Sequence, residues 1–547
     1  MKVIKHNYLI ILFLLNVTCN SQDLKWVRYF SGQHSDINAI TIDSSDNVVA
    51  CGRYLGNIQI NDTTGFYASD VGIDNVIITK FDSAGFLKWA YSSYSPILLQ
   101  GNVGPNYITT DANENIYLIG YFDRDLYFDS TLLSIGSETV KRFFVKLSNT
   151  GQLLWAKSIG NSNFDLSDII INSNQQKFLC GGFNNSVTIN SNTYYSSGPW
   201  DFFFAEIDIN GNFLNYFFHD GYNAWASCSM SGNSIYVNAN YHIKAIVGGD
   251  TVYSEGDYDY LIAKYTTHGI FQWIRNITSP SDNYSFSGMK LKKDRIYLAG
   301  LFSGIIHFQS DSLLASGNYG MYIAEYDTSG NFIMAKETGW TNTNPNFDNH
   351  KPAVDSKGNI YIAQSFKDTL HIGDTTLISC GYLDGFAAKF DSALNLIWVI
   401  QMCDVWECDI YSIALDKLNY LYIAGEAGYH MQVLDSVLDD NGNCGFVMKI
   451  GDKDVLPFNK SPEISKPEEK LLSLFPNPTN KTLHVIVNPE IKNGIAEIYS
   501  IHGAILKNLA FNSSHFRVDV SELPAGCYFL RIRTDYLLIS EKFGVVR

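Results

Sequence analysis

A unit of 58 to 68 residues recurs along most of this chain, and that repeat constrains the fold more than any other feature. A unit too small to bury its own core must stack on its neighbours. One copy runs "INAITIDSSDNVVACGRYLGNIQIN", then a variable stretch, then "DNVIITKFDSAGFLKWAYS". Aligning the residue after the second apolar run gives Gly52, Gly120, Gly181, Ala239, Gly300, Gln364 and Gly425. Aligning the charged residue of the third run gives Lys80, Lys146, Glu206, Lys264, Glu325, Lys389 and Lys449. Both series count seven units. Each holds four short β-branched and aromatic runs, separated by turn sequences such as "SSDN", "SKGN" and "DTSG", where Asn and Gly accept positive φ.

Four-stranded units repeated radially make a β-propeller, which leaves only short, protected sheet edges. The expected fold class is therefore all-β, with a seven-bladed propeller over residues 23–450. Fourth strands centre on Trp26, Trp89, Trp155, Tyr216, Trp273, Met334 and Trp398, and the first of these precedes the first complete unit. The seventh unit stops after its third strand. "DLKWVRYF" (23–30) is thus expected to supply the outer strand of the last blade, so that neither end leaves an unpaired edge. The units resemble the bacterial seven-bladed β-propeller repeat family, which carries a similar "D.xGN.Y..G" followed by "F..K.D..G...W". Propellers host binding, scaffolding and catalysis, so the resemblance implies a fold and leaves the function open.

The first residues, "MKVIKHNYLIILFLLNVTCNSQ", have a basic start and an apolar run from Tyr8 to Val17. That run is too short to span a bilayer and has the layout of a secretory signal, taken as residues 1–19, with lipidation of Cys19 as the alternative. No later segment reaches membrane-spanning length. After Ile450 the repeat ends, and residues 451–470, rich in Pro, Lys and Glu, read as a linker. The alternation in "TLHVIV" and "CYFLRIR", with turns between, predicts a small β-sandwich over 471–547. This segment resembles the type A sorting domain of the type IX secretion system of Bacteroidetes. The motif is carried by "FPNPTN" with Pro476, Asn477 and Pro478, by "IYSIHGAIL" with Gly503, by "DVSELPAGCYFLRI" with Gly526, and by the basic end at Lys542 and Arg547. The resemblance implies export across both membranes, with the translocon and a sortase-like peptidase as partners, and release or attachment at the cell surface.

With 39 basic against 55 acidic residues, the net charge of -16 repels phosphate backbones and argues against a nucleic-acid partner. Cys403 and Cys408, in "CDVWEC", are near enough in sequence to suggest a disulfide in an exported chain. No metal or nucleophile motif appears, the Asp-rich turns lack the ligand spacing of a calcium loop, and no cofactor is expected. Triplets such as Asp129-Ser130-Thr131 and Asp311-Ser312-Leu313 resemble an O-glycosylation motif of exported Bacteroidetes proteins. Trp200, Trp225, Trp340 and Trp406 stand outside the fourth-strand slot, in stretches that a propeller would place on one loop face. With Tyr222, Tyr284, Asn344 and His350 they form the candidate recognition surface for a glycan or protein. The expected protein is a monomer that binds without catalysis. A polysaccharide lyase or hydrolase on the same scaffold, and a purely structural surface component, are the alternatives.

Overall fold

The computed structural model describes residues 22–546 apart from 62–63, 67–73, 96–100, 190–191, 199, 220–225, 282–287, 345–350, 405, 429, 435, 440–442, 453–471, 476–478, 488–492, 501–504 and 535–537. The expected signal, Cys19, and nearly all of the expected linker lie outside the described residues. The chain divides into two compact units, Met1–Val455 and Leu456–Arg547.

All regular structure among the described residues is β. Among the described residues, the first unit contains seven four-stranded antiparallel ladders. Three of them are separate sheets, for example Val103–Thr110, Ile116–Phe122, Lys141–Leu147 and Leu153–Ile159 in the second ladder, whereas the fifth and sixth each pair on into a hairpin of the following unit. The first and seventh share one long strand, Gln22–Ile42. Its second half pairs with Val48–Asn61, from Ser31 opposite Gln59 to Ile42 opposite Val48. Its first half pairs with Cys444–Asp452, from Gln22 opposite Asp452 to Phe30 opposite Gly445. The expected pairing of the N-terminal strand with the seventh unit is therefore present.

Inner strands such as Lys177–Phe183 and Asp384–Phe390 are buried on both faces, and alternate residues go to different cores. One apolar cluster lies between each consecutive pair of ladders. Val49, Cys51, Val76 and Ile78 of the first ladder meet Leu118, Phe143 and Val145 of the second. A corresponding cluster joins the seventh ladder to the first, with Tyr422, Ala424 and Val447 against Val48, Ala50 and Ile77.

The repeat residues are explained by these junctions. The fourth-strand indoles of Trp26, Trp89 and Trp155 each donate at 3.1 Å to a carbonyl in the next ladder's hairpin turn, at Ser83, Asn149 and Ile209. The turn glycine lies against the same ring: at Gly151, with φ +82, a Cβ would sit 2.7 Å from Trp89. The third-strand lysine runs beneath a second-strand tyrosine, Lys146 over Tyr117 at 5.0 Å and Lys389 over Tyr361 at 5.0 Å. Lys80 reaches the turn carboxylate of Asp43 at 2.6 Å, with both groups buried. That aspartate also caps its own turn, since Asp43 Oδ1 accepts from the backbone of Ser45 and Asn47, and Asp355 Oδ1 from Lys357 and Asn359. The Asp-rich turns direct their oxygens inward to the backbone, as the hairpin reading expects.

A second regularity lies in the first strands. Register shifts fall between Ile37 and Ala39, Pro105 and Tyr107, Leu166 and Asp168, and Ile410 and Ser412. Each β-bulge faces the repeat glycine, with Ile37 opposite Gly52 and Ile410 opposite Gly425. A Cβ at either glycine would lie 1.9 Å from a carbonyl oxygen, that of Asp36 or Asp409. The glycine is required because the bulge brings backbone against backbone.

Three sequence expectations are corrected here. In the third ladder Glu206 lies opposite Asn215, so Asn215 and not Tyr216 occupies the fourth-strand slot. Tyr216 packs on Tyr194 and Phe218 instead. The disulfide joins Cys403 to Cys380, with Cα atoms 5.6 Å apart, and Cys408 is a free, buried thiol. Cys403 ends the sixth ladder, whereas Cys408 opens the seventh and packs against Met431, so the short sequence separation crosses a ladder boundary. Trp340 lies within the strand Phe332–Thr341 rather than in a loop. It pairs with His371 of the following ladder's hairpin, and the two rings stack at 3.8 Å.

In the second unit, Leu472–Phe475, Thr482–Val487 and His515–Asp519 form one sheet, and four further strands, including Gly526–Arg533 and Leu538–Val545, form another. The two share one core, and Leu483, Val485 and Val487 are buried on alternate positions as "TLHVIV" predicts. Gly526 pairs with Val545, and Lys542 is exposed. Pro476, Asn477, Pro478, Gly503 and Arg547 lie outside the described residues.

Gly52→Ala is expected to lower stability by about 3 kcal/mol, because backbone has to shift to admit the methyl group. Gly232→Ala, at φ +56 with open space around it, should cost about 1 kcal/mol from backbone conformation alone. Urea unfolding of the two variants measures the difference. Removal of residues 22–30 should expose the edge of Cys444–Asp452 and turn a monodisperse protein into an aggregating one on size-exclusion chromatography.

Candidate functional site

First strands from all seven ladders line a single cavity of about 640 Å³. The bulges decide what reaches it, since the residues inserted at the register shifts, Asn38, Asn106, Ser167 and Tyr411, all line its wall. An inserted residue re-aims its side chain, so the device that demands a glycine in the second strand also supplies polar groups to the cavity.

Four lysines, Lys290, Lys292, Lys351 and Lys417, line it beside four aspartates, Asp165, Asp168, Asp355 and Asp416, in a chain of net charge -16. Lys290 and Lys292 stand two residues apart in Gly288–Lys292, and strand periodicity turns them to the same side while Met289 is buried in the core. The Lys290 side chain is reachable by solvent within the cavity and yet surrounded by protein. Burial, then the Lys351 and Lys292 ammoniums, pull Lys290 down to about 8. Lys351 lies 4.6 Å over the Tyr107 ring and forms an ion pair with Asp168. Burial opposes that ammonium, but Asp168 outweighs it and holds Lys351 above its ordinary range. Burial likewise pushes the Asp168 carboxyl up, and Lys351 and the Cys228 amide, which donates at 2.7 Å, pull it back. The phenols of Tyr107 and Tyr411 are raised, chiefly by burial, and stay protonated at neutral pH.

Tyr411 also donates to Glu426 Oε2 at 3.3 Å, linking the cavity to a buried acidic group where the first and seventh ladders meet. Burial, then the Asp36 and Glu407 carboxylates, push Glu426 up to about 7.

The expected recognition residues do not form one group. Trp200 lines the cavity and is half-buried. Trp340 is a packing residue between the fifth and sixth ladders, and Asn344 is exposed just beyond that strand. Trp406 is 62% exposed, and its backbone carbonyl accepts from Tyr382. Tyr222, Trp225, Tyr284 and His350 lie outside the described residues. The sequence reading missed Lys290, Lys292, Lys351 and Asp168. A signal for two of them was present in "GMKLKKDR", where lysines stand at the first-strand positions that are uncharged in "AITID".

The C-terminal segment decides where the protein goes. Residues 473–546 match the secretion system C-terminal sorting domain. This is an exported protein. Such a tail marks cargo of the type IX secretion system that reaches the cell surface or is secreted, and among the described residues no helix is long and apolar enough to cross a membrane. A curated relative, an uncharacterised WD-repeat protein of Acanthamoeba polyphaga mimivirus, is 22% identical over 487 residues. The match covers 78% of this chain and 32% of the relative, so the chain spans about a third of that relative's length. A catalytically inactive virginiamycin B lyase from Staphylococcus aureus, solved with quinupristin, aligns at 10% identity over 77% of this chain and 98% of its own, with a TM-score of 0.39. PorZ, a type IX surface component of Porphyromonas gingivalis, aligns at 10% identity over 95% of this chain and 100% of its own, with a TM-score of 0.15.

Lys290 should be the fastest lysine to react with an amine-acylating reagent at pH 8, since ordinary lysines titrate near 10.4 and are almost wholly protonated there. Peptide mass mapping after brief exposure measures this, and Lys290→Arg should abolish the fast component.

Proposed function

We propose that the exported chain is a seven-bladed β-propeller, closed by its N-terminal strand, that binds an acidic glycan at its central channel without catalysis. The observation that carries this reading is the single cavity bounded by all seven first strands, with the Lys290 and Lys292 amines and the Trp200 indole on its wall. In a propeller that cavity is the channel, and the loop face around its mouth, including exposed Trp406, extends the contact. Cationic groups in a largely enclosed space favour carboxylate or sulfate groups, and an aromatic ring offers a sugar a flat apolar partner. A ligand of the opposite sign would meet both the lysines and their desolvation cost.

One observation favours catalysis as a second reading: Lys290, poised near neutrality, could remove a proton next to a uronate carboxylate. Loss of its proton as pH rises through about 8 would instead weaken anion binding, so the two readings predict opposite trends across that window.

The test is a glycan-array screen of the full chain, followed by calorimetry with the best ligand. Uronate- or sulfate-bearing glycans should bind and neutral ones should not, with affinity falling as pH rises above about 8 and as salt is added. Lys290→Gln with Lys292→Gln should weaken binding at least tenfold, and Trp200→Ala by a similar factor, without loss of the folded state. Equal binding of neutral glycans would sink the proposal. Release of unsaturated products would establish the lyase reading in its place.

A further inference from the structure

The junction between the ends of the repeat array contains a group that neither the cavity nor the sorting domain uses. His34 and Asp36 lie on the strand Gln22–Ile42, and Glu426 lies on Leu421–Ala427 of the seventh ladder. One donor atom from each of the three lies within 4.8 Å of the others. Asp36 is 2% exposed and Glu426 7%, so both carboxylates are desolvated. Neither is fully satisfied, because Asp36 Oδ1 and Glu426 Oε1 accept no hydrogen bond. Buried carboxylate oxygens are normally paired, and two unpaired ones in the same group need a cause.

The surroundings shape a donor set. Arg53 donates to Asp36 Oδ2 at 2.6 Å and lies 3.5 Å from Asp74; that Oδ2 lies 4.0 Å from His34 Nε2, and Oδ1 accepts nothing. Tyr411 occupies Glu426 Oε2 and leaves Oε1 facing His34 Nδ1 at 3.4 Å. That spacing is long for a hydrogen bond. It matches the separation of roughly 3.3–3.4 Å between two ligands on a tetrahedral ion with bonds of about 2.0–2.1 Å. The outer oxygens are thus tied by Arg53 and Tyr411, as supporting groups orient the ligands of a metal. His34, about a third exposed, provides the route in from solvent.

We propose that His34, Asp36 and Glu426 bind a divalent transition-metal cation that fastens the first ladder to the seventh. One imidazole nitrogen with two carboxylate oxygens is a donor set for zinc or manganese, whereas calcium favours an all-oxygen shell. Three protein ligands leave a further position for water. The ion would add a bond between distant parts of the chain, at a junction otherwise held by strand pairing, packing and hydrogen bonds such as that of Trp26 to Ser83.

The experiment uses the full chain stripped with a chelator, with zinc as the probe and calcium in a parallel arm. Wild type should retain one zinc per chain after desalting, by elemental mass spectrometry, and should unfold at a higher temperature with zinc than without. Cobalt in place of zinc should give visible d–d bands. His34→Ala removes the one ligand that reaches solvent, and should weaken zinc at least tenfold, abolish the bands, and leave the metal-free unfolding temperature unchanged. Glu426→Gln should do the same to zinc binding. No zinc uptake, unaltered uptake in His34→Ala, or stabilisation by calcium and not by zinc would each overturn the assignment. So would a His34→Ala protein destabilised equally with and without metal, since that marks a plain histidine–carboxylate ion pair.

Discussion

Much of the repeat array depends on one close approach, the carbonyl of a bulged first strand resting against a glycine of the second. At Gly52 and Gly425 even a methyl group would overlap that carbonyl. The bulge adds a residue on one side of the ladder, and that residue turns toward the common cavity. Where the repeat has Ala239 in place of glycine, the pairing of Ala226–Ser231 with its neighbour runs on without a register shift.

Around that approach, the remaining repeat residues are committed to holding ladders together. Lysine of the third strand, tyrosine of the second and aspartate of the intervening turn form a buried stack, and the fourth-strand tryptophan reaches into the next ladder's turn. A buried lysine without its carboxylate would be costly, so the turn aspartate serves the turn and the charge together. The junction of Trp26 with Ser83 repeats that of Trp89 with Asn149, although Trp26 stands in the seventh ladder, opposite Lys449, and Ser83 in the first. First strands escape these duties and are free to vary, which is why the chemically distinctive side chains are found on them.

Charge is distributed accordingly. The chain is acidic as a whole, yet the cavity lined by the first strands carries as many lysines as aspartates, Lys290 and Lys292 among them, with Lys351 paired to Asp168. An acidic exterior keeps an exported protein from adhering to anionic surfaces, and enclosed cations act at short range where solvent screens less. The array and its C-terminal unit are chemically separate: the latter has its own core and carries the export signal.

Sequence alone determined the all-β class, the repeated four-strand unit, the turns, the pairing of residues 22–30 with Cys444–Asp452 and the sorting segment. Each of these rests on local chemistry repeated often enough to be read: period-two apolar runs, Asn and Gly at positive φ, and an aspartate that caps its own turn. The candidate site was barely legible, with Trp200 the one expected residue found on the cavity wall. Lys351 and Asp168 are 183 residues apart and carry no pattern that links them. Only the tertiary structure decided which residues face the cavity, because a bulge shifts the alternation by one and reverses the direction of a side chain. The same lack of long-range information placed Tyr216 one position off, Trp340 in a loop and Cys403 with the wrong partner. Neighbours in sequence separate wherever the chain crosses from one ladder to the next, and residues far apart meet wherever ladders stack.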